Sequence, residues 1–195
     1  MNNPEYIEID GVKIKIHTDY RYALKCQEIA SDNSISGYEK EIGIIYTLFD
    51  AEGINILHND EKCLKMALKY LQGRPNKAKE RMSKEKTEID MDYHEDFGYI
   101  MSSMLSEYQI DITKEQIHWW VFLDLLNGLS SECIFNRIRD IRTRNVSDIK
   151  DPKMREELIR LKKIYSLDKR ERILTDAEKE SVENFYKLTG IKKED

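Results

Sequence analysis

Eight glycines and three prolines are few for a chain of 195 residues. That scarcity argues against a turn-rich β-sandwich and against a glycine-rich nucleotide-binding fold. Cysteine is scarce too. Cys26, Cys63 and Cys133 are odd in number, far apart and without a C-x-x-C pair. They read as reduced, buried thiols of a cytosolic protein rather than as a disulfide framework or zinc site. The start, MNNPEYIEID, lacks a basic stretch followed by an apolar one, so no signal peptide is expected. No apolar run approaches the ~18 residues that cross a membrane. Phosphate-loop, dinucleotide, nucleophile-elbow and zinc-protease motifs are all missing, and the histidines at 17, 58, 94 and 118 are scattered. No catalytic residue, cofactor or metal is therefore expected, and the chain reads as a non-enzyme.

Charge is what the chain has in quantity: 35% of residues are Asp, Glu, Lys or Arg, against 40% hydrophobic. That suits one medium domain with solvated helix faces and appendages. The net charge of −5 is unlike that of a general nucleic-acid binder. It is also uneven. Residues 134–172 hold 13 basic and 7 acidic side chains, and the remainder holds 19 basic and 30 acidic. Such a chain can meet an acidic partner at one end, or itself in an oligomer.

The pattern predicts a mainly α fold with a small N-terminal β-hairpin. In YIEIDGVKIKI, Asp10-Gly11 between alternating apolar residues favours a type I′ turn that pairs Ile9 with Val12, Glu8 with Lys13, and Ile7 with Ile14. Residues 1–17 form this hairpin, 18–167 a helical domain, and 168–195 a C-terminal helical extension. Within the domain, Thr18 can cap a first helix, and Ser36 with Glu39 is a capping box. Tyr38, Ile42, Ile45, Tyr46 and Phe49 stripe the second helix. Residues 60–72 make another, stopped by Gly73. The polar segment 74–90 reads as a loop, or else as a solvated helix extension.

Asp92 is expected to cap a helix whose face carries Phe97, Ile100, Met101, Met104, Leu105 and Tyr108. The acidic cluster DMDYHED before it could be a metal site, but acidic residues are ordinary at a helix N-terminus. Thr113 and Gln116 spell a further capping box. Behind it, HWWVFLDLLNGL holds both tryptophans of the chain, and a helix apolar all round is buried all round. The expected core therefore contains Phe97, Ile100, Met104, Ile117, Trp120 and Val121, with Trp120 near its centre. Asp124 is the odd member. It is either exposed in the last turn or paired with an arginine from the 137–144 segment.

Arg137, Arg139, Arg142 and Arg144 crowd one short segment. They read as a solvated face with ion pairs to Asp140 and other acids, or as a site for an acidic partner or neighbouring protomer. No aromatic side chains interleave with them, which weakens a single-strand nucleic-acid reading. Asp151-Pro152 opens a helix with Leu158, Leu161 and Tyr165 inward. Last, Thr175 and Glu178 box a helix with an apolar face of Val182, Phe185 and Leu188. Three large residues cannot hold an isolated helix in water, so it must dock, either on its own domain or, as expected here, on a neighbouring protomer or another protein.

Taken in order, IHTDYRYAL, DMDYHEDFGYIMSSMLSEYQIDIT, HWWVFLDLLNGLSSECIFNRIRDIR and VSDIKDPKMREELIRLKKIYSL resemble the phage family called gene product fifteen, of siphophages and prophages of Gram-positive hosts. The resemblance runs from about residue 5 to about residue 167, and the Trp-Trp block with the preceding IDIT is its most specific part. Genes of that family lie between the tail-tube and tape-measure genes. The resemblance therefore implies a non-virion tail assembly chaperone in the host bacterial cytoplasm, binding the tape measure protein and recruiting tail tube protein. It implies no membrane and no catalytic residues. A structural tail or connector component is the alternative, and a nucleic-acid-binding regulator a weaker one.

Overall fold

The computed structural model describes residues 3–57, 59–75 and 89–167. Asp10 and Gly11 both take positive φ, 52° and 81°, which is the type I′ geometry. The turn joins β1 (Tyr6–Ile9) to β2 (Val12–Lys15) in the expected register, Ile9 opposite Val12 and Ile7 opposite Ile14. One hairpin face buries Ile9, Ile14 and, just beyond, Ile16, while Glu8 and Lys13 stay exposed on the other. The cover over Ile14 is close: a Cβ at Gly53 would lie 2.9 Å from its Cγ2.

Eight α-helices follow among the described residues: α1 (Tyr20–Ser31), α2 (Gly37–Leu48), α3 (Ala51–Leu57), α4 (Asp60–Leu71), α5 (Phe97–Tyr108), α6 (Trp119–Gly128), α7 (Ile134–Thr143) and α8 (Pro152–Ile164). The fold is thus mainly α with a small hairpin. Capping at the α2 and α8 starts follows the sequence: the Ser36–Glu39 box is complete, and Asp151 caps Met154 N–H ahead of Pro152. Gly73, at φ 85°, turns the chain after α4.

Two expected starts move. Thr18 does not cap α1, and the Thr113–Gln116 box does not open α6. The two segments pair with each other instead. Trp119 N–H donates to Thr18 O at 2.7 Å and Tyr20 N–H to Ile117 O at 2.8 Å. That bridge takes up Tyr20 N–H, which a Thr18 cap would have served, and each helix starts one residue beyond it. Asp19 caps α1, and the Nδ1 of His118 caps α6 by accepting from Trp120 N–H at 3.0 Å. Asp111, meanwhile, closes a short turn over Thr113 and Lys114.

The later start sets which tryptophan is central. Trp119, Phe122 and Leu126 form the inward stripe of α6, and Trp119 is 1% exposed. Its ring stacks on Phe122, which stacks in turn on Tyr20 of α1 at 4.6 Å. Trp120 is half-buried at the edge, as are Val121 and Phe97, whereas Ile100, Met104 and Ile117 are buried. The expectation that Trp120 is the centre is therefore corrected to Trp119. The two rings still share one task. A helix leaves its last carbonyls without partners, and at the end of α4 Trp119 Nε1–H donates to Leu71 O and Trp120 Nε1–H to Tyr70 O, both at 3.0 Å.

α6 is not buried all round. Asp124 is exposed and pairs with Arg74 at 2.7 Å, not with the 137–144 arginines. Arg74 also lies over the Trp120 ring, 5.5 Å from its centroid, and donates to Asn3 Oδ1. The half-exposed edge of Trp120 is thereby covered by a guanidinium whose charge Asp124 balances. The α2 stripe is buried as expected at Ile45 and Phe49, but Tyr38 and Tyr46 are exposed, Ile42 is half-buried, and Ile44 and Leu48 complete the buried face; in α7 Phe135 and Ile138 are buried and Ile134 is exposed. All three cysteines are buried and free, and burial pushes the Cys26 thiol up to about 12.

Candidate functional site

The two charged features of the sequence meet. Residues 89–96 lead into α5, and Asp92 Oδ1 accepts from His94 N–H at 2.8 Å and Glu95 N–H at 3.0 Å, which rolls the chain into a turn. Asp96 sits at the N-cap position of α5 yet makes no cap bond. Its carboxylate is committed elsewhere: Oδ2 accepts from Asp92 N–H at 3.0 Å, and both oxygens accept from the guanidinium of Arg142, at 2.7 and 2.8 Å. The pair is nearly dry, with the Asp96 side chain 1% and that of Arg142 10% exposed. The hydrogen bonds that Arg142 donates to Asp96 raise its pKa above the ordinary value.

Arg142 does more than neutralise Asp96. It donates to Asp90 O at 3.0 Å and to Tyr165 O at 2.6 Å, while Lys162 Nζ donates to Arg142 O. One guanidinium thus ties α5, α7, the end of α8 and the segment entering from Asp90. Arg139, one turn earlier, forks onto Asp90 Oδ2 at 2.9 and 2.6 Å.

The arginine segment is therefore not one partner surface. Arg139 and Arg142 turn inward and act as structural cations, because α7 packs with this face over the acidic turn. Arg137 and Arg144 stay exposed, Arg144 beside Asp140 one helical turn back. Asp90 and Asp96, which the cluster DMDYHED hid among four acids and a histidine, are the residues that sequence reasoning failed to pair. Only the complementary charge of the two segments hinted at it. Among the described residues no group of three metal-ligating side chains gathers, and no helix is long and apolar enough to cross a membrane. The candidate partner residues Val182, Phe185 and Leu188 lie outside the described residues.

Two depressions remain. One, of about 780 Å³, is polar and lined by residues including Glu5, Asp19, Gln116 and His118. Its histidine and Asp19 are already engaged: Asp19 holds Arg21, and His118 holds Trp120 N–H on Nδ1 and meets Pro4 O through Nε2 at 3.0 Å. With Nδ1 accepting, Nε2 must carry the proton, so neither nitrogen is left to act as a base. The cleft is a joint between the N-terminal segment and α6.

The other is a groove of about 720 Å³ between α1 and residues 91–97. Its apolar surface comes from Leu24, Met91, Tyr93 and Phe97, each only partly covered, with Arg21, Lys25 and Glu28 along the α1 side and His94 opposite. Both walls are rigidly held. Arg21 donates from Nη2 to the carbonyls of Ile112, Thr113 and Glu115, which pins α1 to the loop before α6. The opposite wall is fixed from behind by Arg142 and Asp96. Burial raises the Tyr93 hydroxyl, and Arg139 partly offsets it. Nothing in the groove is a nucleophile placed against a base. What it offers is a preformed apolar trough with charged edges, the shape that accepts an amphipathic helix.

Comparison with curated proteins and with solved structures gives no match. A family model described as Bacteriophage Gp15 protein matches residues 1–167. That span covers the hairpin, all eight helices, the Trp119–Trp120 block and the Asp96–Arg142 pair, and the chain belongs to the bacteriophage Gp15 protein family.

Proposed function

We propose that this chain is a non-enzymatic tail assembly chaperone that covers apolar stripes of the helical tape measure protein and recruits tail tube subunits. The observation that carries the reading is the groove between α1 and residues 91–97. It exposes Leu24, Met91 and Phe97 side by side on otherwise rigid walls. A long helical client repeats its apolar stripe. Many copies of one modest groove along it supply avidity that can be released unit by unit as tube subunits arrive. A single tight site would not allow that release.

The test is co-expression with the tape measure protein of the same phage, followed by pull-down. The wild type retains the client, and Leu24→Glu, which places a charge on the apolar wall, loses it while melting normally. Equal recovery with both proteins removes the groove from the reading. Purified particles provide the second check: stoichiometric presence of the chain in virions would make it a structural tail component instead.

A further inference from the structure

On α2, Tyr38, Ile42 and Tyr46 recur every four residues and so share a face. On α4, which packs beside α2, Leu64 and Leu68 do the same. Little covers these side chains. Tyr38 is 69%, Tyr46 47% and Leu68 45% exposed, and Ile42 and Leu64 are half-buried. A contiguous apolar patch with two tyrosines, on a chain so rich in charge, marks a contact site. We propose that this α2–α4 face binds the same face of a second copy of the chain, in a two-fold dimer that lays α2 of one copy along α4 of the other. The inference is independent of the client groove between α1 and residues 91–97.

Charge selects both the occupant and the arrangement. α2 carries Glu39, Lys40 and Glu41, and α4 carries Asp60, Glu61, Lys62, Lys65 and Lys69. Asp60 and Glu61 sit in the first turn of α4, where the helix dipole favours them, two turns before Leu68. Lys62 is already on Asp10, but Lys65 and Lys69 make no ion pair among the described residues. Glu39 accepts Ser36 N–H in its capping box, and its side chain stays exposed. It lies three residues before Ile42, as Lys65 lies three before Leu68, so each borders the apolar stripe of its own helix. Laying α2 on α2 would set Glu39 and Glu41 against their own copies, and α4 on α4 would do the same to Lys65 and Lys69. Crossing the helices sets Glu39 toward Lys65 of the partner subunit, and the two-fold makes that contact twice. A client helix of one charge would lose on one of the two helices what it gained on the other. The lengths match as well: α2 and α4 have 12 residues each, about 18 Å. A face two helices wide and this long is at the small end of stable interfaces, so the dimer is weak and reversible.

The experiment is sedimentation velocity on the full chain across a wide concentration range. The wild type should pass reversibly from monomer to dimer. Tyr46→Glu and Leu68→Glu, both at exposed positions, should each hold the chain monomeric with nearly unchanged melting. Glu39→Lys and Lys65→Glu should each weaken the dimer roughly tenfold, because one substitution sets like charges together at both symmetric contacts. An equal mixture of those two variants should recover wild-type association, since in the mixed dimer both contacts again join opposite charges. Lys65→Glu leaves the Ser36–Glu39 box intact, so its effect is read free of any change in helix capping. A wild type that stays monomeric up to millimolar concentration overturns the proposal. So does a dimer that survives Tyr46→Glu and Leu68→Glu, which would place the contact elsewhere. Rescue of Glu39→Lys by the wild type and not by Lys65→Glu would lay α2 on α2 and overturn the arrangement.

Discussion

Replacing Asp96 with alanine would leave the guanidinium of Arg142 in place without its counter-ion, 10% exposed and pressed among α5, α7 and the end of α8. Removing one partner of a buried ion pair costs roughly 3–5 kcal/mol, because the other charge stays desolvated. Two features set the expectation here. Arg142 keeps its bonds to Asp90 O and Tyr165 O, which lowers the cost. Asp92 N–H loses its acceptor, which adds about 1 kcal/mol. The expected loss is therefore ~3 kcal/mol, or about 6–12 °C in Tm for a domain of this size. Arg142→Met strands the carboxylate instead and should cost a similar amount. The double variant should lose much less than the sum, since an apolar replacement of a buried pair is often close to neutral. Urea denaturation of the four proteins gives the cycle. Arg137→Glu and Arg144→Glu are the controls and should fall within about 0.5 kcal/mol of wild type. A cost below about 1 kcal/mol for Asp96→Ala, or strict additivity in the double variant, would refute the view that this pair organises the α5–α7–α8 junction.

Trp119→Ala should cost ~3–5 kcal/mol by large-to-small truncation and clearly more than Trp120→Ala, whose ring is half-buried; equal losses in urea melts would contradict the assignment of the core centre. Tyr70 is buried and its hydroxyl has no hydrogen-bond partner among the described residues, so Tyr70→Phe should raise stability by roughly 1–2 kcal/mol, and a loss would show that the hydroxyl is satisfied. Hydrogen bonds from Lys114 and then Thr113 hold the Asp111 carboxyl at about 2. A depressed folded value means that its contribution to stability is complete above the ordinary carboxylate range and is lost as pH falls toward about 2. Carboxyl-carbon NMR should show this late titration in the wild type and an ordinary one in a Lys114→Ala, Thr113→Val variant.

Local chemistry was legible without coordinates wherever neighbours in sequence are also partners. Asp10-Gly11 sets a turn, and the turn sets the hairpin register through period-two alternation. Ser36–Glu39 and Asp151-Pro152 open their helices because side chain and backbone satisfy one another within four residues. The stretch around Trp119 and Trp120 was recognisably core by its density of apolar residues. Tertiary structure decided which ring is central, through the pairing of Thr18–Tyr20 with Ile117–Trp119, a contact across about a hundred residues. It decided, too, that Asp124 faces Arg74 while Arg139 and Arg142 face Asp90 and Asp96. Opposite charges attract at any sequence separation, so composition shows that pairs must form but not which. The groove was the least legible feature of all. Leu24 and Phe97 have the same spacing as fully buried neighbours, and only the gap that packing leaves between α1 and the turn before α5 keeps them partly in solvent.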